Sequence, residues 1–357
     1  METEEKGGRR GRVLISTFRP PSQGGGVERF LYTLSKILKD AGYEVRVFSR
    51  NEKSWLEQRI RPYAAWRIGM RMRRDHNMGD IVLCNNYFSW NAPREHSVVV
   101  FHGTERGRAE ATREVFSRLR NTLVRLVNSR LDKRATSGRV RVAVSNSTKG
   151  EIESYYKTTV DHVIPNAVDT KVFAPATAKN GFRRELNLPM DEFLVLFVGI
   201  GDSRKGADVL IDSVLPRLKG MQRVVVVGKS EDVPEEAIRL GDVPFEEMHK
   251  VYMACDALIM PSYYEGCSLV TIEALSCGIP TLVSPTGIGK DLQTVAVLCD
   301  YVVPLDQPEK YVELLLRLQN SDVEWRRVSR ASRETAVKEY DLEMFRTRYI
   351  SLIESIE

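Results

Sequence analysis

The 357-residue sequence has no apolar run long enough to cross a bilayer. The longest runs, FLVLFVGI at Phe193–Ile200 and VVVV at Val224–Val227, fall far short of the ~20 residues a spanning helix needs and read as buried parallel strands. Cysteine is scarce and scattered. Cys84, Cys255, Cys267, Cys277 and Cys299 are odd in number and lack metal-ligand spacing, so reduced structural thiols are expected and no zinc site. There is no internal repeat and no low-complexity tract. The first residues, METEEKGGRRGR, carry charge where a secretory signal carries an apolar centre; the expectation is a short disordered lead on a cytoplasmic chain.

Two nucleotide-binding patterns are missing as well. SQGGGVERF places Gly24, Gly25 and Gly26 between a strand and a helix, where backbone can approach a ligand closely. It lacks the dinucleotide pattern of glycines followed by a ribose-binding acid, which argues against hydride chemistry. GIGDSRKGAD spaces Gly201 and Gly206 like a triphosphate loop, but Ala207 stands where the lysine belongs, which argues against ATP hydrolysis. The loop does offer Arg204 and Lys205 beside Gly206, two cations able to clamp a diphosphate; a solvated basic turn fits the residues equally well.

Charge is abundant and uneven. Residues 1–150 hold 30 Lys and Arg against 15 Asp and Glu, whereas residues 151–357 hold 23 against 33. So basic a first half is expected to meet a phosphorylated acceptor, an anionic membrane surface or nucleic acid. The charge peaks at Arg59–Arg74 and Arg106–Arg134. In the second segment Val115, Phe116, Leu119, Leu123, Leu126, Val127 and Leu131 form one apolar stripe flanked by Arg113, Arg118, Arg120, Arg125, Arg130 and Arg134. A core-facing helix with a solvated basic face accounts for this better than an interfacial membrane helix.

Strands and helices alternate along the chain. RVLIS, EVRVFSR, DIVLCN, SVVVFHG and VRVAVSN are followed by a stretch around VIPNAVDTKVFAP, after which FLVLFVG, RVVVVGK, ALIMPS and TLVS resume with helices between them. This is the α/β pattern of parallel sheets covered by helices, in two copies, with Pro165 and Pro175 bracketing the linker. Ligands of such sheets bind beyond the carboxyl ends of strands, so a cleft is expected. The stretch PSYYEGCSLVTIEALSCGIPTLVSP, Pro261–Pro285, sets Glu265 in a loop and Glu273 inside a helix beginning near Ser268. A helix start suits a phosphate, and a carboxylate on either side of it suits a nucleotide bearing a polyhydroxylated group. A capping acid and a solvated helix position explain the same spacing.

The ordered set GGGVERF, FHG, VSNSTKGEI, VIPNAVDTKVFAP, FVGIGDSRKGADVLIDS and PSYYEGCSLVTIEALSCGIPTLVS resembles the GT-B glycosyltransferases, and among them the retaining family 4 type, from about Val13 to the end. The pair of glutamates with seven residues between them, in its PS..EG....EA..CG.P frame, is the most specific part. The resemblance implies two Rossmann-like doubly wound domains facing across a cleft. Residues 1–168, with a returning helix at 342–357, would bind the acceptor, and residues 169–341 the nucleotide sugar. It also implies site residues. Glu273 would accept hydrogen bonds from the ribose, Glu265 would face the transferred sugar, and backbone N–H groups around Ser268 and Leu269 would hold the diphosphate. Lys205, helped by Arg204, would neutralise the leaving diphosphate, so neither metal nor cofactor is expected; His102 would lie near the anomeric carbon. The donor would be UDP- or GDP-linked, and the acceptor a sugar, glycolipid or lipid phosphate, with an anionic membrane surface as a further partner and no nucleic acid. Three positions depart from the usual pattern: Ile200 replaces an arginine, Ala167 a glycine, and Cys267 an aromatic residue. Two other readings are a nucleotide-sugar epimerase and a non-catalytic scaffold on membrane or nucleic acid. The scaffold leaves Lys205, Glu265 and Glu273 unexplained.

Overall fold

The computed structural model describes residues 10–357 apart from 23, 89, 114, 116–121, 123, 219–221 and 230–232. The chain divides into two units, residues 1–164 with 343–357, and residues 165–342.

Unit 1 begins with β1 (Arg12–Ser16), α1 (Gly26–Asp40), β2 (Glu44–Phe48), α2 (Trp55–Arg59), α3 (Arg61–Asp75), β3 (Ile81–Asn85) and β4 (Ser97–Phe101). It continues with α4 (Glu105–Ala111), α5 (Ser129–Ala135), β5 (Val140–Ala143), α6 (Asn146–Tyr156) and β6 (His162–Val163). All neighbouring strands pair parallel, in the order β2-β1-β3-β4-β5-β6. Val13, Leu14 and Ile15, and every residue of β3 and β4, are buried, because helices cover both faces of a parallel sheet. Each fully buried Val, Leu or Phe contributes about 1.5–3 kcal/mol. In α1 the buried Phe30, Leu31, Leu34, Ile37 and Leu38 recur at three- and four-residue steps, which makes one face of the helix the core face.

The stripe expected to face a core at Val115–Leu131 is broken where it is described: Val115 and Leu131 are half-buried, but Leu126 and Val127 are exposed. A π-helical turn at Val124–Asn128 leads into α5, and Leu126 and Val127 are 43% and 42% exposed. The i→i+5 bonding of such a turn rotates its residues off a stripe laid out for 3.6 residues per turn. Phe116, Leu119, Leu123, Arg118 and Arg120 lie outside the described residues.

Unit 2 runs through α7 (Lys179–Glu185), β7 (Leu194–Val198), α8 (Leu215–Leu218), β8 (Arg223–Val227), β9 (Ile238–Gly241), α9 (Phe245–Ala254), β10 (Ala257–Met260), α10 (Leu269–Ser276), β11 (Thr281–Val283), α11 (Ile288–Leu292), α12 (Pro308–Asn320) and α13 (Asp322–Glu339). Its five parallel strands have the order β11-β10-β7-β8-β9. Helix α13 braces the end of α10 against the chain at Phe173. Arg333 Nη1 donates to the carbonyls of Phe173 and Ser276, and Ser276 Oγ donates to Phe173 O.

The last helix, α14 (Leu342–Glu354), joins unit 1 from Glu343 onward. Phe345 and Tyr349 pack edge-on against Phe30 of α1, with ring centroids 5.6 and 5.7 Å apart, and Arg10 pairs with Glu354 at 2.5 Å. Thus the chain end returns to the domain in which the chain starts. Among the described residues no helix is long and apolar enough to cross a membrane.

Candidate active site

In unit 2 the strand order places β7 beside β10, and their connections leave the sheet toward opposite sides. A doubly wound sheet opens a crevice at that point, beyond the carboxyl ends of the two strands. The loops found there are the two singled out in the sequence, Gly199–Gly206 after β7 and Pro261–Ser268 after β10.

Local chemistry shapes both loops. Asp202 caps a 3₁₀ turn at Ser203–Lys205, accepting from the Arg204 N–H at 3.0 Å, and Gly206 closes the turn with φ +74°. A Cβ on Gly206 would come within 1.8 Å of Pro261 O, so only glycine lets the loops meet. Their backbones are joined where the Tyr263 N–H donates to Arg204 O at 2.8 Å. Gly287, with φ +53°, has the same role on the other side, since its Cβ would sit 2.5 Å from Gly266 O and 2.7 Å from Glu265 O.

The close approach brings two predicted site residues into contact. Lys205 Nζ donates to Glu265 Oε1 at 2.5 Å, with both side chains less than one-fifth exposed, and Ser262 Oγ donates to the same oxygen at 3.3 Å. Arg204 sits differently. Its Nε and Nη2 donate to the two oxygens of Asp202 at 3.0 and 2.6 Å, so its charge is already met by a carboxylate. Burial raises the Asp202 pKa, but the bonds from Arg204 outweigh it and hold the carboxyl below the usual range.

Ser268 is the N-cap of α10, its Oγ accepting from the Thr271 N–H at 3.3 Å, and Leu269 opens the helix. Glu273 lies four residues after Leu269, on the same face. Helical side chains lean toward the N-terminus, which turns the carboxylate back toward the helix start. The sequence reading assigned it to a ribose; in the structure it has no exposed surface, and Tyr252 Oη of α9 donates to its Oε2 at 2.7 Å. Cys267 is also buried. Asn166 anchors it, its Nδ2 donating to Cys267 O at 2.7 Å and its N–H to Sγ at 3.3 Å, and burial pushes the thiol pKa far up.

Unit 1 carries the remaining predicted residues. Gly25 is the N-cap of α1, with no side chain to satisfy the helix N–H groups, and Gly26 has open space around its Cα. His102 directly follows β4. Its Nε2 lies 2.9 Å from Asn85 Oδ1, while Asn85 Nδ2 donates to Ser16 O at 2.7 Å. The second bond fixes the amide orientation, so His102 Nε2 carries the proton and Nδ1 is the ring's acceptor. The imidazole edge meets Phe30 at 4.5 Å, and burial lowers its pKa to about 3, leaving it neutral at physiological pH.

Asp202, Asn85, Asn166 and Tyr252 were not anticipated. Asn166, in PNAVD, and Asp202, in GIGDSRKG, at least lay inside recognised motifs; nothing local marks Asn85 or Tyr252, whose partners are 17 and 21 residues away. Among the described residues no group of three or more His, Cys, Asp or Glu is placed to hold a metal ion.

Residues 24–172 match the family model Glycosyltransferase Family 4, and residues 192–321 match Glycosyl transferases group 1, together covering most of the chain. Over 147 residues the chain is 33% identical to a D-inositol 3-phosphate glycosyltransferase of Xylanimonas cellulosilytica, a match covering 35% of each protein. The chain thus spans about a third of the length of this curated relative. Sucrose-phosphate synthase from Thermosynechococcus elongatus superposes with a TM-score of 0.81 at 17% identity, covering 97% of this chain and 99% of the other. Anabaena Alr3699/HepE in complex with UDP and glucose superposes with a TM-score of 0.72 at 15% identity, covering 96% and 99%. At these identities the likeness to the solved structures is one of fold. With both domain families present in sequence and two parallel α/β sheets in the structure, this chain belongs to the GT-B glycosyltransferases of family 4 and group 1.

Proposed function

We propose that the chain transfers a hexose from a UDP- or GDP-linked sugar to a phosphorylated acceptor, with retention at the anomeric carbon and without a metal ion. One observation carries the proposal. A cation and a carboxylate, Lys205 and Glu265, are held 2.5 Å apart at the switch point of unit 2, beside the start of α10. The helix start suits the diphosphate, and Lys205 supplies charge where the leaving group becomes more negative. As the donor binds, Lys205 exchanges Glu265 for diphosphate oxygen, and Glu265 turns to the sugar hydroxyls. Arg204 contributes only by leaving Asp202 in part.

In the transfer, the acceptor oxygen bonds to the anomeric carbon on the face from which the diphosphate oxygen departs. The acceptor proton passes to that diphosphate oxygen. Glu265 therefore positions the sugar and forms no bond to it. His102, neutral and with Nδ1 as its acceptor, suits a hydrogen bond from a sugar hydroxyl.

The acceptor assignment rests on charge. Residues 1–150 hold twice as many basic as acidic residues, and the curated relative is named for an acceptor bearing phosphate. The choice of a nucleotide sugar as donor is supported by the complex of Alr3699/HepE with UDP and glucose. A lipid phosphate is the finer reading of the acceptor. It is supported by an exposed aromatic and basic patch in unit 1, where Trp55 is 62% exposed under Arg59 at 5.3 Å and Leu56, Ile60 and Trp66 are exposed nearby. The test is turnover with UDP- and GDP-hexoses, each paired with phosphorylated soluble and lipid acceptors. Release of nucleoside diphosphate that depends on acceptor supports transfer; sugar interconversion without acceptor would overturn it.

A further inference from the structure

Unit 1 contains a basic concavity at the end of its sheet opposite to the loops that follow its strands. An open pocket of about 660 Å³ lies at the amino ends of β4, β5 and β6, where its walls include Arg94, His96, Arg139, Arg141, Asp161 and His162. His102 follows the other end of β4, so five residues of strand, roughly 16 Å, separate the two places. The pocket has the volume of a small-molecule site.

Its charges do not balance. Arg141 is held by Asp161 through two bonds of 2.7 and 2.9 Å, which accounts for the one acid in the wall. Among the described residues Arg139 has no acidic partner. Only 5% exposed, it donates from Nε to Ser97 Oγ at 3.0 Å, from Nη1 to Ala135 O at 3.1 Å and from Nη2 to Ala92 O at 3.0 Å. These acceptors satisfy its hydrogen bonds without neutralising its charge, and a buried charge is ordinarily paired. Arg94 and His162 stand exposed at the rim, where the Arg94 guanidinium adds to the positive field. His96, at φ +44°, donates from Nδ1 to Ile356 O and so ties the chain end to the wall.

We propose that this pocket binds a phosphate-bearing small molecule whose anionic group supplies the countercharge that Arg139 lacks. The ligand lies across the starts of β4, β5 and β6 and, through His96, beside the terminal segment, so its binding stabilises unit 1. This site is separate from the diphosphate seat of unit 2 and does not depend on the reaction proposed above.

Inorganic phosphate and inorganic pyrophosphate serve as probes on the full chain, in wild type and in Lys205→Ala, where the proposed donor seat loses its cation. Both forms are expected to gain thermal stability with added pyrophosphate, less so as salt rises. In proton NMR the ring signals of His96 and His162 should shift, with those of His76 and His249 unmoved. The double variant Arg94→Glu, His162→Glu changes exposed side chains only and should melt like wild type in the absence of anion. Its pyrophosphate affinity should fall by at least about tenfold. The proposal is overturned if Lys205→Ala shows no stabilisation at millimolar pyrophosphate, or if the folded double variant binds as tightly as wild type. Loss of sugar transfer in Lys205→Ala with retained pyrophosphate stabilisation would separate the two sites.

Discussion

The carboxylate of Glu273 can be assigned by two substitutions measured together. Tyr252 Oη and Glu273 Oε2 are 2.7 Å apart and both residues are fully buried, so the pair is shielded from solvent competition. Tyr252→Phe removes one donor from a buried acceptor and should cost about 1.5–3 kcal/mol of folding stability, the range for a hydrogen bond to a charged group. Glu273→Gln keeps the shape but loses the charge, and an amide can still accept from Tyr252. If Glu273 also binds the ribose, Glu273→Gln should weaken UDP or GDP binding by about 1–3 kcal/mol, roughly 5- to 150-fold in Kd. Tyr252→Phe should leave that affinity within a factor of two or three, because it leaves the carboxylate in place. Chemical unfolding and calorimetry with the nucleoside diphosphate provide the two numbers. An unchanged Kd in a folded Glu273→Gln, with stability lowered as in Tyr252→Phe, would refute the ribose assignment and leave Glu273 as a tie between α9 and α10.

Lys205→Ala should raise the transfer barrier by about 3 kcal/mol, slowing transfer roughly 150-fold, with a smaller effect on nucleoside binding, and wild-type activity should persist in EDTA; a requirement for a divalent ion would refute the role given to Lys205. His102 is neutral when folded, with its pKa lowered to about 3, so the unfolded chain takes up a proton first as pH falls below about 6.5. Its contribution is therefore complete above that pH and is lost progressively down to about 3. Between pH 7 and 4.5, wild type should lose about 2–3 kcal/mol more stability than a folded His102→Phe variant, and equal pH slopes in urea unfolding would show otherwise. The chain should sediment with anionic liposomes at low salt and be released as salt rises, with Trp55→Ala and Trp66→Ala weakening the attachment; no sedimentation at low salt would remove the membrane from the acceptor reading.

Some of this molecule was legible because its causes are local. Runs such as FLVLFVG and SVVVF can only be strands covered on both faces, and glycines after strands mark turns and close approaches. The motif after β10 therefore pointed to a helix beginning near Ser268, and the structure makes Ser268 the N-cap of a helix that opens at Leu269. The stripe at Val115–Leu131 departs from its expected face at Leu126 and Val127, because a period counts residues per turn and carries no notice of the π turn at Val124–Asn128. Composition also established the charge asymmetry between the halves, since charge sums require no coordinates. Tertiary structure alone decided which partner each charge takes. Arg204 is spent on Asp202, Lys205 waits on Glu265, Glu273 is enclosed with Tyr252, and Arg139 is buried among backbone carbonyls with no acid beside it among the described residues. The Lys205–Glu265 and Glu273–Tyr252 pairings join residues from different elements that the parallel crossovers bring together. Burial and partner charge set the energetics of such groups, and neither is encoded in the spacing of residues along one strand or helix.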